Sequence, residues 1–204
     1  MVNNDKKIKL ILASNNSHKV RELKTLLPDF EIITPKDLND QTEVEENSDT
    51  LQGNSYLKAN YFFTKYNIMT IADDSGIFCD ALDNMPGVYS ARYASLGSEK
   101  LFNDDHMNNR KLIQDLQGKD HSAHFSCVIC LIELNGKVSY FEGQTYGYVL
   151  DEYDGENGFG YDCIFHSNDL NKCFGRASAE EKDSVSHRGR ASKKLKEYLE
   201  KNYG

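Results

Sequence analysis

The sequence contains no long hydrophobic run. Of its 204 residues, 39% are hydrophobic and 27% are charged, and no segment approaches the ~20 consecutive apolar residues that a membrane helix needs. The N-terminal residues start no apolar run either, so we expect neither a signal peptide nor a membrane segment. This length and composition predict a soluble protein with one substantial hydrophobic core.

An excess of basic residues is also missing. The chain has 24 Lys and Arg against 32 Asp and Glu, which gives a net charge of -8. A surface with this balance repels polyanions, so we expect no binding to nucleic-acid polymers or to anionic membranes. A small anion that carries its own metal ion is not excluded, because local basic clusters remain within the acidic chain.

Disulfide and zinc patterns are absent as well. Five cysteines form an odd number for a disulfide framework, so we predict reduced thiols and a cytoplasmic location. Cys127 and Cys130 have C-x-x-C spacing, but in a strand their side chains point to opposite faces. The six histidines include no pair with H-x-x-x-H spacing, and we therefore expect no zinc site.

Hydrophobic periodicity predicts strands and helices that alternate along the chain. Strands are predicted at 9–13 and 69–72, helices at about 20–27, 50–66 and 98–117, a hairpin at 123–150 around Asn135-Gly136, and a C-terminal helix that starts at Ser178 with a capping box to Glu181. No internal repeat or low-complexity linker interrupts this order. We therefore predict a mixed α/β fold in a single domain over residues 1–204.

A polar loop at residues 14–19 separates the first predicted strand from the first helix. Free backbone N–H groups and the positive end of a helix dipole favour phosphate binding at such a position. Lys19 would reach a phosphate from the first turn. The loop lacks the glycines of a Walker or Rossmann motif, and an ordinary capped helix with a solvated lysine explains it at least as well.

The segment Asp73-Asp74-Ser75-Gly76 follows a predicted buried strand. Two carboxylates at the end of such a strand can bind Mg²⁺ and orient water, although the same residue types also favour a polar turn. The acidic stretch that contains Glu46 is a solvated surface unless folding brings it to Asp74. One Glu and one Asp would then suffice for Mg²⁺, which also binds substrate phosphate oxygens.

Two further clusters lie in the C-terminal half. Gly158-Phe159-Gly160-Tyr161-Asp162 allows close approach of the backbone to a ligand and offers aromatic rings on which a base can stack. A basic cluster formed by Lys182, His187, Arg188 and Arg190 could bind phosphates or donate hydrogen bonds to a base oxygen. Taken alone, the first is better explained as a tight turn with core aromatics and the second as a solvated helix end.

The order of these motifs resembles the inosine triphosphate pyrophosphatase family, also called XTP/dITP diphosphatases. The matching stretches are residues 12–23, 71–76, 86–93, 158–162, 180–182 and 186–189. Together they span nearly the whole chain. The resemblance implies a two-lobed α/β fold with a long central mixed β-sheet flanked by helices, an active-site cleft between the lobes, and a homodimer.

The resemblance also implies an activity: Mg²⁺-dependent hydrolysis of ITP, dITP or XTP to the monophosphate and pyrophosphate, which removes deaminated purines from the nucleotide pool. By motif position, Asp74 resembles the general base and, together with Glu46, a metal ligand. The implied substrate-binding residues are Ser14, Asn15, Asn16, Ser17, His18, Lys19, Lys58 and Ser75 for the phosphates, and Phe159, Gly160, Tyr161, Asp162, Lys182, His187 and Arg188 for the base and sugar.

The chain departs from the family pattern at three positions. Ser14-Asn15-Asn16 replaces a Thr-Gly-Asn, Gly53-Asn54-Ser55 replaces a Glu-Asn-Ala, and Cys163 replaces a proline. The second change removes a carboxylate close to the expected metal site. A nucleotide-binding sensor without turnover is therefore one alternative function, and a pyrophosphatase for other nucleoside triphosphates is another.

Overall fold

The computed structural model describes residues 7–204, and its centre is a seven-stranded mixed sheet with the order β2-β1-β3-β4-β5-β6-β7. The strands are β1 (Ile8–Leu12), β2 (Phe30–Ile33), β3 (Thr70–Cys79), β4 (Ser122–Ile132), β5 (Val138–Val149), β6 (Phe165–Ser167) and β7 (Lys172–Cys173). Strand β1 pairs parallel with β2 and β3, whereas β6 pairs antiparallel with β5 and β7. The predicted mixed α/β fold is confirmed.

Within residues 7–204, five α-helices flank these strands in the sequence. They are α1 (Ser17–Leu26), α2 (Leu51–Tyr66), α3 (Asp105–Leu116), α4 (Ala179–Val185) and α5 (His187–Tyr203). Short 3-10 segments cover Asp80–Leu82, Gly87–Ser95, Asp162–Ile164 and Phe174–Arg176. Side chains that accept backbone N–H groups set where most helices begin: Asn16 precedes α1, Thr50 precedes α2, and the predicted capping box of Ser178 and Glu181 opens α4.

The helix predicted over 98–117 was wrong in its first turns. Helix α3 begins only at Asp105, because the Asp104 side chain accepts the N–H of Met107 and so caps the helix there. The C-terminal helix was also predicted as one element. It divides at Ser186, whose extended backbone (ψ of 155°) separates α4 from α5. The short strand β2 was not predicted.

The expectation that the buried strand ends before Asp73 was wrong as well. Strand β3 continues without a break from Thr70 through both aspartates to Cys79. Turn propensity favours a loop at this point, but ion pairing of Asp73 in the folded chain satisfies its charge inside the sheet. The two carboxylates therefore lie in the middle of a strand rather than after its end.

The chain divides into two compact units. Unit 1 consists of the described residues up to Asp74 together with Val128–Phe141 and Ser192–Gly204, and unit 2 consists of Ser75–Cys127 and Glu142–Ala191. Leu10, Ile71 and Leu131 are fully buried in unit 1, and Ile77, Leu112 and Phe165 are fully buried in unit 2. The prediction of a single domain over 1–204 stays a prediction.

No helix in the described part of the chain is long and apolar enough to cross a membrane. Cys79, Cys130 and Cys173 are buried free thiols. Cys127 and Cys130 both lie on β4, where their odd separation directs the side chains to opposite faces.

Candidate active site

In unit 1, Asp73 of β3 is ion-paired to helix α1. Its carboxylate is buried and receives Lys19 Nζ at 2.8 Å on both oxygens. Lys19 lies in the first turn of α1, so this helix supplies the positive charge that pairs with Asp73. This pair explains how β3 carries an aspartate in its buried middle.

Asp74 follows Asp73 on β3. It accepts a hydrogen bond from Asn54 Nδ2 of α2 at 3.1 Å. Burial raises the pKa of Asp74 to about 6; the charge of Lys58 opposes this rise and the carboxylate of Glu46 adds to it. A carboxylate with a pKa in this range can accept a proton near neutral pH or bind a cation.

Glu46 and Lys58 complete this cluster. Lys58 Nζ of α2 lies 2.5 Å from Glu46 Oε1. Burial works against the charge of Lys58, but the surrounding carboxylates of Asp73, Asp74 and Glu46 raise its pKa overall. Folding therefore brings Glu46 of the acidic stretch close to Asp74, so this stretch is more than a solvated surface.

The residue Asn54 was missed as a candidate site residue. It is fully buried, and while its Nδ2 donates to Asp74, its Oδ1 accepts the backbone N–H of Ser48 at 2.9 Å. One amide thus links the segment that follows Glu46 to the Asp74 carboxylate. The signal that could have found it is the Glu-Asn-Ala of the family pattern, of which this chain keeps only the asparagine.

At Gly53, where the chain departs from the family pattern, the neighbouring side chain of Ser48 leaves no room for a larger residue. A Cβ added at Gly53 would lie 1.9 Å from Ser48 Oγ and 2.7 Å from Ser48 Cβ. The Ser48 side chain therefore occupies the space that a side chain at position 53 would need. The missing carboxylate and the serine belong to one local arrangement.

Loop 14–19 is organised by its own side chains. Ser14 Oγ accepts the N–H of Asn16 at 3.2 Å, and Asn16 Oδ1 accepts the N–H groups of His18 and Lys19 at 3.0 and 3.3 Å. Asn15 Oδ1 accepts the N–H of Lys36 at 3.0 Å. Asn16 thus satisfies the first N–H groups of α1, and Lys19 is the side chain of this loop that reaches a carboxylate of β3, that of Asp73.

In unit 2, loop 158–162 carries an exposed aromatic ring. The side chain of Asp162 is buried, accepts the N–H of Phe159 at 2.8 Å and forms an ion pair with Lys182. The Phe159 ring is 46% exposed, with Lys182 Nζ at 4.7 Å and the Arg188 guanidinium carbon at 5.4 Å from its centroid. The aromatic ring and these two basic groups therefore form one cluster, the Phe159 cluster.

Two other predicted binding residues of unit 2 are buried in packing contacts. The Tyr161 hydroxyl donates to the carbonyl of Ser90 at 2.6 Å. The His187 ring stacks on Phe125 with centroids 4.7 Å apart and planes at 11°. Direct contact of either side chain with a ligand stays a prediction, and both clearly support the backbone around them.

The donor set of unit 1 fits a hard divalent cation. Glu46 and Asp74 provide carboxylate oxygens, the ligand type that Mg²⁺ takes. Burial disfavours the negative charge of Asp74, and a bound cation would neutralise that charge. Within residues 7–204, no group of three or more His, Cys, Asp or Glu side chains could hold a metal ion. A metal ion bound here would therefore need oxygen ligands from its substrate or from water as well.

Fold and site together define the class: a mixed-sheet α/β protein with acidic and basic side chains gathered around its central strand β3. The chain belongs to the Ham1 family, whose model matches residues 10–198. The resemblance inferred from the ordered motifs is thereby confirmed.

Relatives and solved structures agree with this membership. Similar proteins include the dITP/XTP pyrophosphatases of Clostridium perfringens (40% identical, covering 94% of this chain and 97% of the relative) and Desulforamulus reducens (42% identical, covering 96% and 98%). Among solved structures, the Staphylococcus aureus Ham1 protein is 37% identical with a TM-score of 0.87, covering 95% of this chain and 98% of that one. The HAM1 protein of Coxiella burnetii is 33% identical with a TM-score of 0.87, covering 95% and 99%.

Proposed function

We propose that this protein hydrolyses ITP, dITP and XTP to the nucleoside monophosphate and pyrophosphate, with Mg²⁺ as cofactor. Relatives that carry the name dITP/XTP pyrophosphatase and align along nearly their whole length support the substrate class. The observation that carries the chemistry is the cluster of Glu46, Asp74 and Lys58 on and around β3.

Asp74 is proposed as the proton acceptor. Water attacks the α-phosphorus, and a carboxylate oxygen of Asp74 takes a proton from it as pyrophosphate leaves. The raised pKa of about 6 suits this step, because the group is ionised at neutral pH yet has appreciable proton affinity. Asn54 holds the carboxylate in place by donating to its Oδ2.

Lys19 and Lys58 are proposed to stabilise the triphosphate. Both ammonium groups are held against carboxylates, Asp73 and Glu46 respectively, so they are pre-oriented before substrate binds. Catalysis of phosphoryl transfer depends mainly on positioning and on neutralising negative charge. Bound Mg²⁺, held by Glu46 and Asp74, would supply further positive charge to the phosphate oxygens.

The Phe159 cluster of unit 2 is proposed to bind the purine base. The exposed ring offers a stacking surface, and Lys182 and Arg188 beside it are hydrogen-bond donors. Hypoxanthine and xanthine carry an acceptor oxygen at position 6, where adenine carries an amino donor. Donors that adenine leaves unpaired would disfavour ATP, by a factor that can reach ~10⁴ when the groups are buried.

The decisive experiment measures pyrophosphate and orthophosphate separately. Purified protein is incubated with Mg²⁺ and, in parallel, ITP, dITP, XTP, ATP or GTP. We expect pyrophosphate from the first three at far higher kcat/KM than from ATP. Release of orthophosphate alone, or equal use of ATP, would contradict the proposal, and tight ITP binding without turnover would instead support the sensor function.

Two variants assign the chemistry. Asp74→Asn should abolish pyrophosphate release while ITP still binds. The matched control is Glu133→Gln, which also removes one buried carboxylate from unit 1; Glu133 accepts the hydroxyls of Tyr198 and Tyr203 at 2.9 and 2.5 Å and lies outside the proposed site. A fully active Asp74→Asn protein would remove this residue from the mechanism.

The resemblance to the family also supports a homodimer and a cytoplasmic location as parts of this proposal. Light scattering coupled to size exclusion would measure the mass of the purified protein against the 23.2 kDa of one chain. A mass of one chain at micromolar concentration would contradict the dimer.

A further inference from the structure

Side chains of helix α3 form hydrogen bonds with both the backbone N–H and the backbone carbonyl of one residue in loop 158–162, Gly160. The N–H of Gly160 donates to Asp105 Oδ2 at 2.8 Å, and the carbonyl of Gly160 accepts from Asn109 Nδ2 at 3.0 Å. We propose that Asp105 and Asn109 are positioning residues that fix the Phe159 ring for base binding. This inference rests on the function proposed above for the Phe159 cluster.

The two side chains act together because of helix geometry. Asp105 and Asn109 are four residues apart in α3, so they lie on the same face of the helix. Asp105 is exposed in the first turn, where the helix dipole favours a carboxylate. Asn109 is 2% exposed and also contacts Cys163 Sγ at 3.3 Å. One acceptor and one donor therefore clamp Gly160 from the same side.

Gly160 is the residue at which such a clamp has most effect. Its φ of +60° is left-handed, and glycine has more backbone freedom than any other residue. On either side the chain is already tied, since the Phe159 N–H donates to Asp162 and the Tyr161 hydroxyl to Ser90. Without the clamp, rotation about Gly160 would move the Phe159 backbone relative to Tyr161.

The ring itself needs this support because much of it is in solvent. Phe159 is 46% exposed, and the charged groups of Lys182 on α4 and Arg188 on α5 lie over its ring. Side chains with long flexible stems define a ring position poorly. The backbone hydrogen bonds to α3 therefore decide where the stacking surface lies.

The chain offers a matched control in the neighbouring residue. Asn108 is 1% exposed, its Oδ1 accepts the N–H of Ala94 at 2.8 Å, and its Nδ2 donates to the carbonyl of Ala91 at 3.0 Å. It is the same residue type on the same helix with the same burial, but it holds a different segment. Replacement of Asn108 by alanine should therefore reproduce the loss of stability without the loss of positioning.

The first test uses fluorescence and does not depend on enzymatic activity. The chain contains no tryptophan, so Phe159→Trp introduces a single reporter at the ring position. In that background, Asn109→Ala should raise the acrylamide quenching constant and lower the anisotropy of the tryptophan, whereas Asn108→Ala should leave both unchanged. Equal changes in the two alanine variants would overturn the proposal.

The second test separates base binding from phosphate binding. In the protein with Phe159 intact, Asn109→Ala should raise KM for ITP and Kd for IMP about tenfold, the ratio that loss of one well-placed hydrogen bond gives. The Kd for inorganic triphosphate, which has no base, should stay the same, and kcat should change less than about twofold. A parallel loss of affinity for IMP and inorganic triphosphate would contradict a positioning role.

Asp105 provides a second pair of variants that does not touch the core. Because its side chain is exposed, Asp105→Ala should fold normally and weaken IMP binding as Asn109→Ala does. Asp105→Asn keeps an acceptor oxygen and should restore most of the affinity. If the wild-type protein releases no pyrophosphate from ITP, the proposed function fails, yet the tryptophan comparison still decides whether α3 holds the loop.

Discussion

Removal of the Asp74 charge should stabilise the metal-free protein. In the fold, burial and the nearby carboxylate of Glu46 raise the pKa of Asp74 to about 6, from 3.8 in an unfolded chain. The ionised carboxylate is therefore disfavoured by folding. Asp74→Asn removes this charge but keeps an oxygen that can accept the hydrogen bond from Asn54.

The magnitude follows from the shift. The difference between about 6 and 3.8 is about 2 pKa units, and at about 1.4 kcal/mol per unit it corresponds to at most about 3 kcal/mol. Because the folded-state pKa lies above the unfolded one, the penalty is absent below pH 4, grows between pH 4 and 6, and is complete near pH 7. For a protein of this size, Asp74→Asn should raise Tm by roughly 6–12 °C at pH 7.

The assay is thermal and urea unfolding in EDTA, for wild type and Asp74→Asn, from pH 4 to pH 8. The two proteins should be about equally stable at pH 4 and should diverge as the pH rises. Addition of Mg²⁺ should stabilise wild type more than the variant, since binding to the folded state adds stability. An unchanged or lower stability of Asp74→Asn at pH 7 in EDTA would refute the reasoning.

Glu133→Gln serves as a control, because it should change the stability at pH 7 in the opposite direction to Asp74→Asn. Burial works against the charge of Glu133, but hydrogen bonds from Tyr203 and Tyr198 and the charge of Lys137 outweigh it and lower its pKa. This carboxylate therefore stabilises the fold above its unfolded pKa, and the contribution is lost as the pH falls through the folded value. The variant should be less stable than wild type at pH 7, with a difference that shrinks in acid.

Three further predictions concern Gly53 and Lys19 of unit 1 and Gly158 of unit 2. Gly53→Ala should destabilise the protein by about 1–3 kcal/mol because its Cβ would meet Ser48 Oγ at 1.9 Å. In a double-mutant cycle measured by urea unfolding, Ser48→Gly should recover most of this loss, and strictly additive effects would contradict the clash. Gly158→Ala should weaken IMP binding, measured by calorimetry, because φ is +81° and a Cβ would lie 2.1 Å from Asp162 Oδ2; unchanged affinity would show that the loop tolerates the strain. Lys19→Met should raise KM for ITP and reduce stability by about 1–3 kcal/mol, because a buried carboxylate loses its partner; wild-type stability would mean that the ion pair is dispensable.

The sequence predicted those helix caps and turns that depend on hydrogen bonds between residues close together in the chain. The capping box of Ser178 and Glu181 and the turn at Asn135-Gly136 are both present, and Gly136 has the positive φ that such a turn requires. Asn16 caps α1 within the polar loop where N-cap chemistry was predicted. These features depend on hydrogen bonds over a few residues, which a sequence pattern records directly.

Elements that depend on distant partners were not predictable in this way. The break predicted at Asp73-Asp74 does not exist, because Lys19, 54 residues away, pairs with Asp73 inside the sheet. The start of α3 was misplaced and the division at Ser186 was not predicted, although Asp104 and Ser186 are ordinary cap residues. Propensity alone does not rank several possible caps in a polar segment.

By itself the sequence determined the α/β class, the acidic balance and, through the order of its motifs, the membership in the Ham1 family. Only the tertiary structure decided that Asp74 lies beside Glu46 and Lys58, that Asn54 donates to Asp74, and that Asn109 donates to Gly160. The physical reason is that motif order survives in a one-dimensional chain. Burial, the resulting pKa of a carboxylate and hydrogen bonds between distant segments exist only once the chain has folded.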